Sequence, residues 1–239
     1  MPKSARIALA VLALTLGVAS GGSGLAAARH AHARAVAAAP SATVTDLARW
    51  AVESGDANGR PFAVVDKVAA EVFVFGPEGR LRGRAPALVG LARGDGSLPG
   101  IGDMPLSAIK PDERTTPAGR FIARYGRDRS GREVLWVDYG DAISMHPVIQ
   151  GAPKEHRFER LKSRTPKDNR ITYGCINLPF QFYARIVQPS FKGDGGVVYV
   201  LPEDKPLADV FPDFALYRSQ QDQAAAASAD ASAPLTTGR

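Results

Sequence analysis

The alternation of apolar and polar positions changes character several times along this chain, and each change marks an element. Residues 43–54 place Val44, Leu47, Trp50 and Ala51 on one face of a helix. Thr43 or Thr45 can cap its start, Asp46 suits the positive end of its dipole, and Gly55 to Gly59 ends it. From Phe62 the period shortens. Phe62–Asp66 and Glu71–Phe75 are β-rich runs, and Gly76-Pro-Glu-Gly79 is a turn. Further strands are expected at 120–125, 134–139, 142–146 and 197–201, and short helices near 156–161 and 180–187. Few helices separate the strands, so the pattern is not an alternating βαβ one. It predicts a mainly β domain with peripheral helices.

The two ends read differently. Lys3 and Arg6 precede an apolar run from Ile7 to Val18, followed by small residues at 19–21 and 26–28. This is the layout of an export signal, and the run is shorter than a membrane span requires. We assign residues 1–28 as signal peptide, with either small-residue cluster as the cleavage site. The expected organisation continues with a linker at 29–41, a packing helix at 42–60, a catalytic domain at 61–217 and a disordered tail at 218–239, which has few large apolar residues. The irregular stretch 88–117, rich in Gly, Pro, Asp and Ser, is expected beside the functional site.

Charge adds little. The net charge of +6 would suit nucleic acid, but the basic residues are scattered and the chain reads as exported, so no nucleic-acid partner is expected. Membrane contact is expected only during export, and the expected location is the periplasm. Two of the four histidines, His30 and His32, fall in the linker without other ligands nearby, and no metal or other cofactor is expected.

The single cysteine changes the picture. An exported chain with one Cys has no internal disulfide to make with it. Cys175 is then either a small buried apolar residue or a working thiol. Its surroundings read Asn169-Arg-Ile-Thr-Tyr-Gly-Cys-Ile-Asn-Leu-Pro179. Gly174 permits a tight backbone and close approach of a substrate. The N–H groups of Tyr173, Gly174 and Cys175 are candidates for an oxyanion hole. A thiol nucleophile also needs a base. His146 ends a strand-like run and precedes Pro147, whereas His156 lies in the charged stretch Lys154-Glu-His-Arg157 and is expected at the surface. His146 is the preferred base.

These residues resemble the L,D-transpeptidase catalytic domain (YkuD-like) family. Its motif sets a His at a strand end and then, after a loop, Ser/Thr-His-Gly-Cys followed by an apolar residue and Arg or Asn. Here His146 matches the first half, and Thr172, Gly174, Cys175, Ile176 and Asn177 match the second. Ala63-Val-Val-Asp-Lys67 with Val72-Phe-Val-Phe75 resembles the family's opening hairpin, and Thr116-Pro-Ala-Gly-Arg-Phe121 resembles its Thr-Pro-x-Gly-x-Phe segment. The resemblance covers roughly residues 61–202. It departs in two places. Tyr173 stands where the family has a second His, and Cys175 follows His146 by 29 positions, a long interval; His156, at 19, fits the usual spacing better.

The resemblance implies a β-sandwich or barrel-like fold with Cys175 at the rim of a cleft. It implies peptidoglycan stem peptides as partners: a tetrapeptide stem is cut before its terminal D-Ala, a thioester forms on Cys175, and an amine acceptor takes the acyl group in 3→3 crosslinking or exchange. His146 would be the base, with the Pro147 carbonyl orienting its ring. Gly174 and Cys175 would hold the oxyanion, Tyr173 would supply a hydroxyl there, and Thr172 belongs to the same loop. Asn177 and Arg170 would contact substrate or brace the loop; for Arg170 an ion pair with Asp168 is the alternative. The insertion 148–169 would form a flap. Two other readings stay open: an L,D-carboxypeptidase or hydrolase sharing the thioester, and a non-catalytic peptidoglycan-binding homologue.

Overall fold

A computed structural model describes residues 40–231; the signal segment, His30, His32 and nearly all of the linker lie outside the described residues. Helix α1 (Ala42–Glu53) opens the described chain. Its cap is Ser41, two and four residues ahead of the expected threonines, and the Ser41 hydroxyl accepts from the Val44 N–H at 3.3 Å. Five apolar side chains of α1, Val44 to Ala51, are buried.

Ten strands follow: β1 (Phe62–Asp66), β2 (Glu71–Phe75), β3 (Leu81–Pro86), β4 (Val89–Gly90), β5 (Gly119–Arg127), β6 (Glu133–Asp138), β7 (Ile143–Pro147), β8 (Arg170–Thr172), β9 (Ile176–Leu178) and β10 (Gly196–Val200). Eight make one mixed sheet in the order β3-β2-β1-β10-β5-β6-β7-β9, and β4 pairs with β8. Within the large sheet β1 with β10 and β7 with β9 are parallel pairings, and the separate β4–β8 pair is parallel as well. The sheet curls until its ends nearly meet. Leu88, just past β3, exchanges both backbone hydrogen bonds with Asn177 of β9 at 2.8 and 2.9 Å. The result is the barrel-like, mainly β architecture expected.

Two cores flank the sheet. Alternate residues of β1, Ala63 and Val65, join Leu135, Val137, Met145, Ile176 and Leu178 inside the barrel. The others, Phe62 and Val64, meet α1 and the C-terminal helices. The inner core is stoppered by Tyr183, Val187 and Phe191, spaced four apart along a helical segment. That segment comprises α3 (Phe180–Phe182), a π-helical turn (Tyr183–Val187) and α4 (Gln188–Phe191). Pro189 near the start of α4 donates no N–H, and the π-turn immediately before it takes up the irregularity.

Three expectations need correcting. β3 is absent from the sequence reading because its residues, Leu-Arg-Gly-Arg-Ala-Pro, carry no clean alternation; it is an edge strand with Arg82 exposed and Arg84 half-buried beside Glu71. β8 and β9 are three residues each, too short to show a period. Residues 218–231, expected without structure, continue helix α6 (Pro212–Ala231), which follows the short helix α5 (Leu207–Val210). The start of α6 is anchored by buried Phe214, by the Tyr217 hydroxyl on Glu53 at 2.9 Å and by Arg218 to Asp46 at 3.4 Å. An anchored start spares the cost of nucleation, and the Gln- and Ala-rich run that follows has the propensity to propagate it.

Among the described residues no helix is long and apolar enough to cross a membrane.

Candidate active site

β7 and β9 lie side by side, with Met145 opposite Ile176, His146 opposite Asn177 and Pro147 opposite Leu178. Met145, Ile176 and Leu178 enter the inner core. Alternation therefore sets Ser144, His146, Cys175 and Asn177 together on the other face. Cys175 Sγ lies 3.6 Å from Ser144 Oγ and 3.7 Å from the Ala142 carbonyl oxygen. His146 is one strand across and one side-chain step along from it.

The imidazole is held at both nitrogens. Nδ1 is 2.8 Å from the Pro147 carbonyl oxygen, which only accepts, so Nδ1 carries the proton and Nε2 the lone pair. The carbonyl foreseen as the orienting group thus makes that contact. Asn177 Nδ2 donates to Nε2 at 3.0 Å. The Asn177 orientation is fixed in turn, because its Oδ1 accepts from Arg157 Nη1 at 3.0 Å. Burial pushes the His146 pKa below the ordinary imidazole value; the Pro147 hydrogen bond opposes this, and the charges of Arg132 and Arg157 add to it. The ring is a neutral base at neutral pH.

The turn before Cys175 is tightly built. Gly174 has φ +129°, and a Cβ there would stand 2.6 Å from both Ile143 Cδ1 and the Thr115 carbonyl oxygen. Thr172 Oγ1 accepts the Gly174 N–H at 3.1 Å and donates to the Cys175 carbonyl at 2.7 Å. The Gly174 N–H is thus engaged within the turn. On the other side Thr116 Oγ1 donates to the Gly174 carbonyl at 2.8 Å and accepts the Gly90 N–H at 2.9 Å. The Arg114 guanidinium sits 4.0 Å over the Tyr173 ring. The irregular segment 88–117 accordingly lies against the Cys175 loop.

No protein-family model matches this chain, and no curated protein matches it. Among solved structures the chain is similar to the catalytic domain of the E. faecium L,D-transpeptidase, at 14% identity over 59% of this chain and 97% of that one, with a TM-score of 0.34. It is similar to an L,D-transpeptidase from Mycobacterium smegmatis at 17% identity, covering 59% and 58% of the two chains, with a TM-score of 0.33. The third is the helical cell shape determining protein Pgp2 from Campylobacter jejuni, at 16% identity over 68% and 57%, with a TM-score of 0.40. The chain spans somewhat more than half the length of these last two.

Arg170 is not paired with Asp168, whose carboxylate accepts from Ser163 Oγ at 2.7 Å. It reaches the carbonyls of Ala92 at 3.1 Å and Lys67 at 3.2 Å and forms an ion pair with Glu203. It therefore braces the loop from behind. His156 is exposed, away from Cys175's contacts. The insertion 148–169 is fastened down. Val148 and Leu161 pack with Leu88 and Ile171, Arg160 holds the carbonyls of Glu155 at 2.8 Å and Asp168 at 2.6 Å, and α2 (Arg157–Arg160) delivers Arg157 to Asn177.

Sequence reasoning missed four contributors: Ser144, Thr116, Arg157 and Lys67. The β7 alternation signals Ser144. Thr116 and Lys67 fall in segments that resemble the family, but their contacts, like that of Arg157, are visible only in three dimensions. Lys67 is buried with its Nζ 2.6 Å from Asp95 Oδ1 and 2.9 Å from the Thr116 carbonyl. Asp95 also accepts the N–H groups of Glu203, Asp204 and Lys205 at 2.6 to 2.9 Å, and its carboxyl is held down at about 2 by Lys67 and these amides against the opposing effect of burial. The ion pair ties β1, segment 88–117 and the chain after β10 into one block behind the site.

Proposed function

We propose that this protein is a cysteine acyltransferase acting on peptidoglycan stem peptides, with the activity of an L,D-transpeptidase, and that it works outside the cytoplasmic membrane. The observation that carries the reading is the placement of Cys175 and His146 as diagonal neighbours on one face of two parallel strands, with the imidazole tautomer set by Pro147. The motif resemblance at Thr172, Gly174, Cys175 and Asn177 supports it.

The chemistry then follows. His146 Nε2, once released from Asn177, takes the Cys175 proton. Sγ attacks the carbonyl carbon that precedes the terminal D-Ala of a tetrapeptide stem. With the Gly174 N–H bound to Thr172, the N–H groups of Tyr173 and Cys175 are the donors assigned to the oxyanion. Collapse expels the D-Ala amine, which takes the proton back from His146, and leaves a thioester. An acceptor amine loses its proton to His146 as it attacks the thioester, and the thiol is restored.

Two observations favour a second reading, a non-catalytic wall-binding homologue: Nε2 is already occupied by Asn177, and Tyr173 replaces the family's second His. Mass spectrometry after incubation with a carbapenem separates the two. The enzyme reading expects a covalent adduct on Cys175 that is lost in His146→Ala and kept in His156→Ala. A folded, reduced protein that forms no adduct supports the binding reading.

A further inference from the structure

The face that carries Cys175 extends beyond it. Ser144 lies opposite Trp136 on β6, and Trp136 lies opposite Arg124 on β5. Cys175, Ser144, Trp136 and Arg124 therefore form a row running across four strands, all on the side away from the inner core. Beyond Ser144 the row opens into a cleft of about 430 Å³ lined by Ile122, Arg124, Gly126, Arg127, Trp136 and Tyr139.

The cleft has the make-up of a sugar site. Trp136 lies flat enough on the strand that a Cβ at Gly126 would stand 2.7 Å from its Cδ1. Tyr139 meets the indole edge-on at 5.1 Å between centroids and is 78% exposed. An exposed tyrosine ring beside a half-buried indole gives the apolar C–H face of a pyranose something to stack on. The charged residues lining the cleft are Arg124 and Arg127, with Glu133 opposite Arg127 on β6. Arg127 donates to the Gly131 carbonyl at 2.7 Å, and the exposed Arg124 guanidinium makes no hydrogen bond or ion pair among the described residues. A second acid, Asp138, accepts the backbone N–H groups of Gly140 and Asp141 in its own turn.

The spacing fits as well. Strands lie about 4.8 Å apart, so the Trp136 position is about 10 Å from the Cys175 position. Three peptide residues, the length of stem between the attacked carbonyl and the glycan, extend about 10 Å.

We infer that the cleft at Trp136, Tyr139 and Arg124 binds the amino-sugar ring from which the acyl-donor stem hangs, with the Arg124 guanidinium at its far edge donating to oxygens of the sugar. This rests on the transpeptidase reading for the identity of the ligand. Substrate would then lie across the strands, from sugar at β5 and β6 to scissile bond at β9.

Calorimetric titration of the full chain tests it, using a disaccharide-tetrapeptide and the same tetrapeptide without sugar. The expected result is about tenfold tighter binding of the sugar-bearing ligand, the size of one good aromatic contact, and loss of that preference in Tyr139→Ala and Trp136→Ala. Tyr139→Ala guards against a folding artefact, because the side chain is largely in solvent. Equal binding of both ligands, binding of neither, or a preference that survives in Tyr139→Ala overturns the inference. The carbapenem adduct is scored separately: a missing adduct with an intact sugar preference removes the transpeptidase reading and keeps the sugar site.

Discussion

Asn177 Nδ2 and His146 Nε2 face each other at 3.0 Å, while Arg157 Nη1 holds the other end of the same carboxamide at 3.0 Å. The Nε2 lone pair is therefore capped by a side chain whose orientation is set by the 148–169 insertion. Arg157 acts on His146 twice, through Asn177 and through its charge.

Removing that charge raises the His146 pKa toward the ordinary value, because a nearby cation disfavours imidazolium. Arg157→Ala should move the acidic limb of Cys175 acylation, and the NMR titration of the His146 ring, to higher pH. Arg157→Lys, which keeps the charge but loses the planar fork, should leave the ring titration low. A ring titration unchanged in Arg157→Ala would refute the coupling.

Gly174 has no room for a side chain. Gly174→Ala places a Cβ 2.6 Å from the Thr115 carbonyl and imposes a positive φ on alanine. A loss of about 2–3 kcal/mol is expected, with loss of carbapenem labelling. Chemical denaturation measures the first and mass spectrometry the second.

Thr116 ties two loops together with one hydroxyl. Thr116→Val leaves the Gly90 N–H and the Gly174 carbonyl without that partner in a buried place, at a cost of about 1–3 kcal/mol. Thr116→Ser should recover most of it in the same denaturation assay.

Acid should loosen the block behind the site. The Asp95 carboxyl titrates at about 2 in the folded protein against about 3.9 in an unfolded chain. A depressed carboxyl stabilises the folded state above the unfolded value, and that stabilisation fades as pH falls from about 4 toward 2. The contribution is about 2–3 kcal/mol. Asp95→Asn should flatten the stability profile over that interval and destabilise the protein at neutral pH, since Lys67 is then buried beside a neutral group. A profile identical to that of the unmodified chain would refute the assignment.

Several features were legible in the residues alone. The β1–β2 hairpin, the strands β5, β6, β7 and β10, and helix α1 announce themselves because each must bury one face, and burial imposes a period on the sequence. Cys175 was legible by being single and by following a glycine, and His146 by ending a strand. What decided the site was not local. Parallel pairing of β7 with β9 aligns His146 with Asn177 across 31 positions of chain, and no pattern in either strand encodes that register. Arg157, Thr116 and Lys67 read as an ordinary surface cation, a loop hydroxyl and a strand-end lysine. Their hydrogen-bond partners come from segments distant in sequence, so only the closed sheet brings them together. The sequence by itself determined which side chains were available for chemistry and which faces had to be buried. The tertiary structure decided which nitrogen of His146 holds the lone pair, what caps it and where Arg170 points, because those depend on distances between segments that the chain order leaves free.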